Sequence, residues 1–256
     1  METNNTYHLL SSILKILKMM TEAGAEIYRV EESAKRIFLA YGFKNIDVYA
    51  TTSNIIISVE AEDDIIKTHT RRIEKISTDI EKIHRLNSLV RGISATAPDY
   101  TYIEKEIEKI EKTQKYPVWV NVAFYGIIAG AFYMFFGGRS MGELLISSAI
   151  GLCTGVFSCL YDKLDLNKIL TKFLLAFVAA VIAFTLQNFK IVTHLEYIMI
   201  GNIMTLIPGI GLTNSLRDLF VGDNISGVLR LVEAGLSALA IACGYVAASA
   251  LFGGAV

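Results

Sequence analysis

Apolar residues recur with three different spacings along this chain, and the spacings predict its elements. From His8 to Tyr41, Leu10, Ile13, Leu17, Met20, Ile27, Val30, Ala34, Ile37 and Phe38 fall three or four positions apart, which predicts one or two amphipathic helices. Gly24 marks a joint or a close contact inside that stretch, and Gly42 suits the position just past its end. The opposite face carries Glu22, Glu26, Glu32, Lys35 and Arg36 and reads as solvated, with helix-compatible charge pairs. The period then falls to two. Ile46, Val48 and Ala50 alternate, as do Ile55, Ile57 and Val59, predicting two strands. Thr51 to Asn54 is either the turn between them or a continuation of the first. Ala61-Glu62-Asp63-Asp64 is a polar turn, and Ile66 to Ile73 a third strand containing Arg71 and Arg72. Thr78 and Glu81 have capping-box spacing ahead of a stripe of Ile80, Ile83, Leu86, Leu89, Val90 and Ile93. Pro98 or Asp99 opens a further helix with Ile103, Ile107 and Ile110 on one side. That helix is expected to run as a stalk toward a membrane at Tyr116 to Trp119, since Tyr and Trp suit the headgroup level.

Beyond Pro117 the apolar runs are almost unbroken. Five spans are expected: Val118 to Phe136, Gly142 to Leu160, Ile169 to Leu186, Leu195 to Ile210 and Ile225 to Leu251, several of them near the about 20 residues that cross a bilayer core. The fourth is short and ends in Pro208-Gly209, as discontinuous transporter helices do. Gly126, Gly130, Gly151 and Gly155, and in the last span Gly235, Ala238, Ala242 and Gly244, predict close helix packing. The expected fold is an α-helical polytopic membrane protein with an N-terminal cytoplasmic α+β domain, divided at 1–116 and 117–256.

Composition agrees with this division. Hydrophobic residues make up 53% of the chain and charged residues 19%, below the about 25% usual for soluble domains. Most charges precede Pro117, nearly balanced in sign, and the net charge of -1 gives no reason to expect nucleic acid as a partner. Basic residues Lys112, Lys115, Lys163, Lys168, Lys172, Arg217 and Arg230 flank one side of the spans, against Arg139 and Lys190 on the other. The positive-inside rule then puts the N-terminal domain in the cytoplasm and Val256 outside. Cys153, Cys159 and Cys243 lie in apolar runs without metal spacing and are expected to be small buried hydrophobes. The start METNNTYHLL has no pattern of a cleavable signal. His69, Arg71, Arg72, Asp79, Glu81, His84 and Asn87 are polar neighbours in sequence but form no metal or phosphate motif. A regulatory, gating or assembly role is expected of the front domain rather than catalysis, with no cofactor. Arg71 and Arg72 are candidates for drawing anions toward the cytoplasmic mouth.

The chemistry concentrates between Ile203 and Gly227. Pro208 lacks a backbone N–H, so the helix must bend or stop there, and Gly209 and Gly211 let the backbone turn. Thr213 and Asn214 place a hydroxyl and an amide past the break. Arg217 brings a planar guanidinium that matches a carboxylate in a two-point contact. Asp218 and Asp223 are expected to hold Arg217, bind an ammonium group or cap the next helix; the competing reading makes Arg217 and Asp218 plain loop charges. Glu233 is the coupling candidate, either proton-linked or paired structurally with Arg230 three residues earlier.

Five stretches give the chain a family resemblance: AGAEIYRVEESAKRI from Ala23, TTSNIIIS from Thr51, DIEKIHRLNSLVRGI from Asp79, FFGGRSMGELLISSAIG from Phe135 and IPGIGLTNSLRDLFVGDNISGVLRLVEA from Ile207. In these, in this order, the chain resembles the threonine/serine exporter family, in its half-length form. The resemblance implies an inner-membrane secondary exporter subunit with a cytoplasmic front domain and five spans. It would work with a second small polytopic membrane protein and oligomerise, and it would export threonine, serine or a succinate-like acid. The family pattern falls on Pro208, Gly209, Thr213, Asn214, Arg217, Asp218, Gly222, Asp223, Ser226, Gly227, Arg230 and Glu233. Where many relatives have Asp after the Gly-Gly turn, this chain has Glu143. The alternatives are a non-transporting scaffold or sensor, and a membrane-tethered enzyme.

Overall fold

A computed structural model of the chain describes residues 2–60, 66–113, 116–164 and 166–253, with side chains from Tyr7 onward. The turn expected at Ala61 to Asp64, the stalk residue Lys115 and the terminal Val256 lie outside the described residues. The chain divides into two compact units. One is Met1–Gln114 with Ile210–Leu231, the other Lys115–Gly209 with Val232–Val256.

The first unit opens with α1 (Glu2–Glu22) and α2 (Ile27–Ala40), so the first amphipathic stretch is two helices. The joint is Gly24, at φ +91°, where a side chain would be strained and a Cβ would stand 2.6 Å from the Ser77 carbonyl oxygen. The end of α2 is closed by the bond from Phe43 N–H to Phe38 O, with the two rings edge to face, as a left-handed helix cap requires. β1 (Lys44–Ala50), β2 (Asn54–Glu60) and β3 (Ile66–Arg72) form an antiparallel sheet in the order β1-β2-β3. Ala50 faces Ile55 across the 51–54 turn, which Thr51 closes by accepting from the Ser53 and Asn54 N–H groups. Ile55, Ile57 and Val59 point inward from β2 and join one core with the apolar faces of α1, α2, α3 (Ile80–Thr96) and α4 (Tyr100–Glu111).

Two expectations here need correcting. The cap of α3 is Asp79, whose side chain accepts from Lys82 N–H, because a carboxylate one residue nearer the helix outcompetes the Thr78 hydroxyl. α4 does not run on as a stalk. It stops at Glu111, and Ile103, Ile107 and Ile110 are buried in the core; burying that stripe fixes the helix to its own unit.

The second unit holds α5 (Val118–Phe135), α6 (Met141–Lys163), α7 (Lys168–Asn188), α8 (Leu195–Met204) and most of α10 (Asn224–Leu251). Four helices, α5, α6, α7 and α10, are long and apolar enough to cross a membrane. A fifth is counted only if α8 and α9 (Gly209–Val221) are one bent span. The chain is a multi-pass membrane protein. Pro208 lies just before α9, where its missing N–H removes no intrahelical bond.

α5 and α6 meet through the predicted glycines. A Cβ on Gly151 would stand 2.6 Å from the Tyr125 carbonyl oxygen, and one on Gly126 2.7 Å from Leu152. Gly244 likewise faces the Phe173 carbonyl, whereas Gly235 has open space around it and makes no such contact. The cysteines also differ from expectation. Cys153 and Cys243 are exposed on the outer faces of α6 and α10, and Cys159 is half-buried. In an apolar helix an exposed thiol costs nothing on a lipid-facing side, so the apolar run did not imply burial.

Candidate functional site

The residues singled out around Arg217 converge inside the first unit, on the turn between α1 and α2. α9 is followed by Gly222 (φ +101°), with Asp223 N–H bonded back to Asp218 O at 2.9 Å, and α10 begins at Asn224. This makes a helical hairpin. It is tight because Gly227 lies against Leu219, where a Cβ would come within 2.6 Å. The hairpin grips residues 24–28. Asn214 Nδ2 donates to Gly24 O at 3.3 Å, and Arg230 Nη2 to Ala25 O at 2.8 Å. Arg217 Nη1 donates to Glu26 Oε1 at 2.6 Å and Nη2 to the Tyr28 hydroxyl at 3.1 Å, with the guanidinium carbon 5.5 Å from the Tyr28 ring centre.

Arg217 is thus neither a free loop charge nor partnered by Asp218 or Asp223. Asp218 is fully buried and stands 3.4 Å from the Nε of nearly buried Arg230. Arg230 was expected beside Glu233, but i,i+3 spacing on a helix leaves both free to turn elsewhere. Glu233 is exposed, 3.9 Å from Lys168. Asp223 directly precedes α10, Thr213 is exposed on α9, and Pro208 and Gly209 sit at the start of that helix.

Three partners in this site were passed over in the sequence. Glu26 read as part of a solvated face, yet only 14% of its side chain is exposed, and it takes Arg217 on one oxygen and Arg29 on the other, at 2.8 Å. Tyr28 accepts from Arg29 as well, at 3.0 Å. The available signal was position: Glu26 and Tyr28 flank Ile27 at the start of α2, just past the Gly24 joint. Glu31 was also missed. Its Oε1 accepts from Ala50 N–H at 2.8 Å, and burial pushes its carboxyl above the ordinary range. Arg71 donates to Ser11 Oγ at 3.1 Å and stays exposed with Arg72.

The second unit has its own polar points. Glu143 is buried and receives the Tyr133 hydroxyl at 2.9 Å and the N–H groups of Thr193 at 2.8 Å and His194 at 3.0 Å. It anchors the segment leading into α8 near the start of α6. At the far end of α8, Lys172 Nζ, one turn into α7, donates to Leu206 O at 2.7 Å, satisfying a carbonyl freed by the helix break. Asn202, buried in α8, bridges to α6 through Ser147 Oγ at 3.3 Å, and Ser147 Oγ donates to Ala129 O at 3.1 Å. A cavity of about 290 Å³ opens beside this break, lined by Asn121, Phe124, Tyr125, Ile128, Ser158, Cys159, Asp162 and Thr205. Among the described residues, no three His, Cys, Asp or Glu side chains converge as a metal site would need.

The family described as "Putative threonine/serine exporter" matches residues 11–252. The "Probable succinate transporter subunit YjjP" of Klebsiella aerogenes is 25% identical over 235 residues, covering 91% of this chain and 90% of that protein. Its namesake in Escherichia coli K12 is 24% identical over the same length, covering 91% of each. No solved structure matches the chain. Matched along nearly its whole length, the chain belongs to the threonine/serine exporter family.

Proposed function

We propose that this chain is the half-length, larger subunit of a two-component secondary exporter. It would carry a small carboxylate or amino acid out across the inner membrane, with no catalytic step of its own. The observation that carries the reading is the helix break beside a partly polar cavity in the membrane unit. Thr205, the first residue after α8, lines that cavity with Asn121, Ser158 and Asp162. A cavity of about 290 Å³ is near the lower end of small-molecule sites and suits a solute of a few carbons. Interrupted helices supply backbone groups for solute and ion at such places.

Five crossings follow if α8 and α9 count as one bent span. The two ends of α8 are tied by Glu143, at the start of α6, and Lys172, at the start of α7; antiparallel neighbours begin on opposite sides of a bundle. The N-terminal unit then lies in the cytoplasm, on the side with most of the basic residues. The segment Pro208, Gly209, Thr213, Asn214, Arg217, Asp218 and Asp223 is the proposed binding or gating segment, with Arg230 and Glu233 as coupling candidates. The relatives named as transporter subunits support a partner subunit, and a second small polytopic protein and an oligomeric assembly complete the reading.

The test is co-purification with a candidate partner subunit, reconstitution, and efflux of radiolabelled succinate, threonine and serine under an imposed proton gradient. Gradient-dependent efflux of at least one solute is expected. A stable reconstituted complex that moves none of the three would overturn the reading.

A further inference from the structure

We infer that Arg217, Arg29 and Tyr28 form a receptor for a small carboxylate, and that Glu26 is its built-in occupant. Two guanidiniums stand against one carboxylate: Arg217 Nη1 donates to Oε1, and Arg29 Nε lies 2.8 Å from Oε2 while giving its single N–H to the Tyr28 hydroxyl, so Oε2 receives no hydrogen bond. Between them the Tyr28 hydroxyl accepts from both, which leaves its own proton to donate. Two cations against one carboxylate leave the group net positive, and the other buried carboxylate nearby, Asp218, is turned to Arg230. Two positive charges, the Arg217 fork and a free phenolic proton are what a carboxylate takes.

Accessibility and strength both permit exchange. The side chains of Arg217 and Arg29 are each 48% exposed, while the carboxylate between them is mostly covered. Ion pairs at half-exposed guanidiniums are weak, so an internal carboxylate held by them yields to a free one at millimolar concentration. Glu26 has the advantage of being tethered, which acts as a high local concentration. The device therefore responds to solute level. At low solute Glu26 closes the clamp between the α1–α2 turn and α9, and a carboxylate solute takes its place and frees that turn. The inference rests on the exporter reading only for the identity of the solute.

The experiment uses the full chain purified in detergent, with succinate titrated calorimetrically at fixed ionic strength and chloride as the control anion. Wild type is expected to bind weakly. Glu26→Gln is expected to bind about tenfold tighter, because the competing charge is gone. Adding Arg217→Lys to Glu26→Gln is expected to abolish the gain, since an ammonium lacks the planar fork. If Glu26→Gln does not remain assembled on size exclusion, Glu26→Asp replaces it, with a smaller gain in the same direction. Equal affinity in wild type and the Glu26 variant, a gain that survives Arg217→Lys, equal competition by chloride, or no binding by any folded variant each overturns the inference. The readout is binding, so its failure is separable from a failure of transport: flux without this pattern sinks the receptor alone, and this pattern without flux sinks the exporter alone.

Discussion

Arg217 and Asp218 are adjacent and hold the α1–α2 turn by different physics. Asp218 and Arg230 are buried together, so removing one partner leaves a charge stranded away from water. Asp218→Ala is expected to cost about 3 kcal/mol in thermal or denaturant unfolding. Arg217→Ala, at a half-exposed pair, is expected to cost no more than about 1 kcal/mol. Similar losses for the two would contradict this division. Glu31 gives a pH signature. Its carboxyl is raised by burial, so between the ordinary carboxylate pKa and its own the folded state binds the proton more tightly than the unfolded one. That contribution is fully present below the unfolded pKa and is lost as pH rises through the folded pKa. Glu31→Gln keeps an acceptor for Ala50 N–H and removes the titration. It is expected to flatten the fall of stability across that weakly acidic window, read from unfolding midpoints at a series of pH values. The residue types of this site were legible in the sequence, the Arg217 fork above all. Their pairing was not, because Glu26 lies far away along the chain and only packing brings it near.

Elements are governed here by how closely backbones approach. At Gly151 a Cβ would meet a carbonyl oxygen and the Ala129 methyl at 2.6 and 2.7 Å, neither of which can move without shifting α5. Gly151→Ala is therefore expected to destabilise by about 1–3 kcal/mol, while Gly235→Ala, with open space, is expected to leave the midpoint unchanged. Comparable effects in the two would show that small-residue spacing alone, and not the contact, matters. The four-residue glycine spacing in α5 and α6 announced their packing correctly. The small residues Gly235, Ala238, Ala242 and Gly244 in α10 did not identify which side is packed, since a helix rich in Gly and Ala has small residues on several faces. α10 instead buries Arg230, Ala234, Ser237, Ile241, Gly244 and Ala248, three and four residues apart.

At the scale of the whole chain, the testable consequence is sidedness. In right-side-out vesicles, with the three native cysteines replaced, Tyr49→Cys on the exposed side of β1 is expected to resist a membrane-impermeant maleimide, and Arg139→Cys between α5 and α6 to react. The reverse pattern would place the N-terminal unit outside. The segment after the helix break also groups in a way that chain position does not suggest, since Ile210–Leu231 belongs with the N-terminal unit.

Local patterns determined a great deal by themselves. Apolar periods of three to four and of two residues identified α1 to α4 and all three strands, and the uninterrupted apolar runs located α5, α6, α7 and α10. Pro208 and Gly209 marked the break before α9 because a missing N–H and a missing Cβ act on the chain locally, whatever surrounds it. Tertiary structure alone settled what the polar side chains do. A carboxylate or guanidinium reads the same in sequence whether solvated, paired or buried. Thus Glu26 passed for surface and Glu233 stood as one possible partner of Arg230, until folding set Asp218 against Arg230 and two guanidiniums around Glu26.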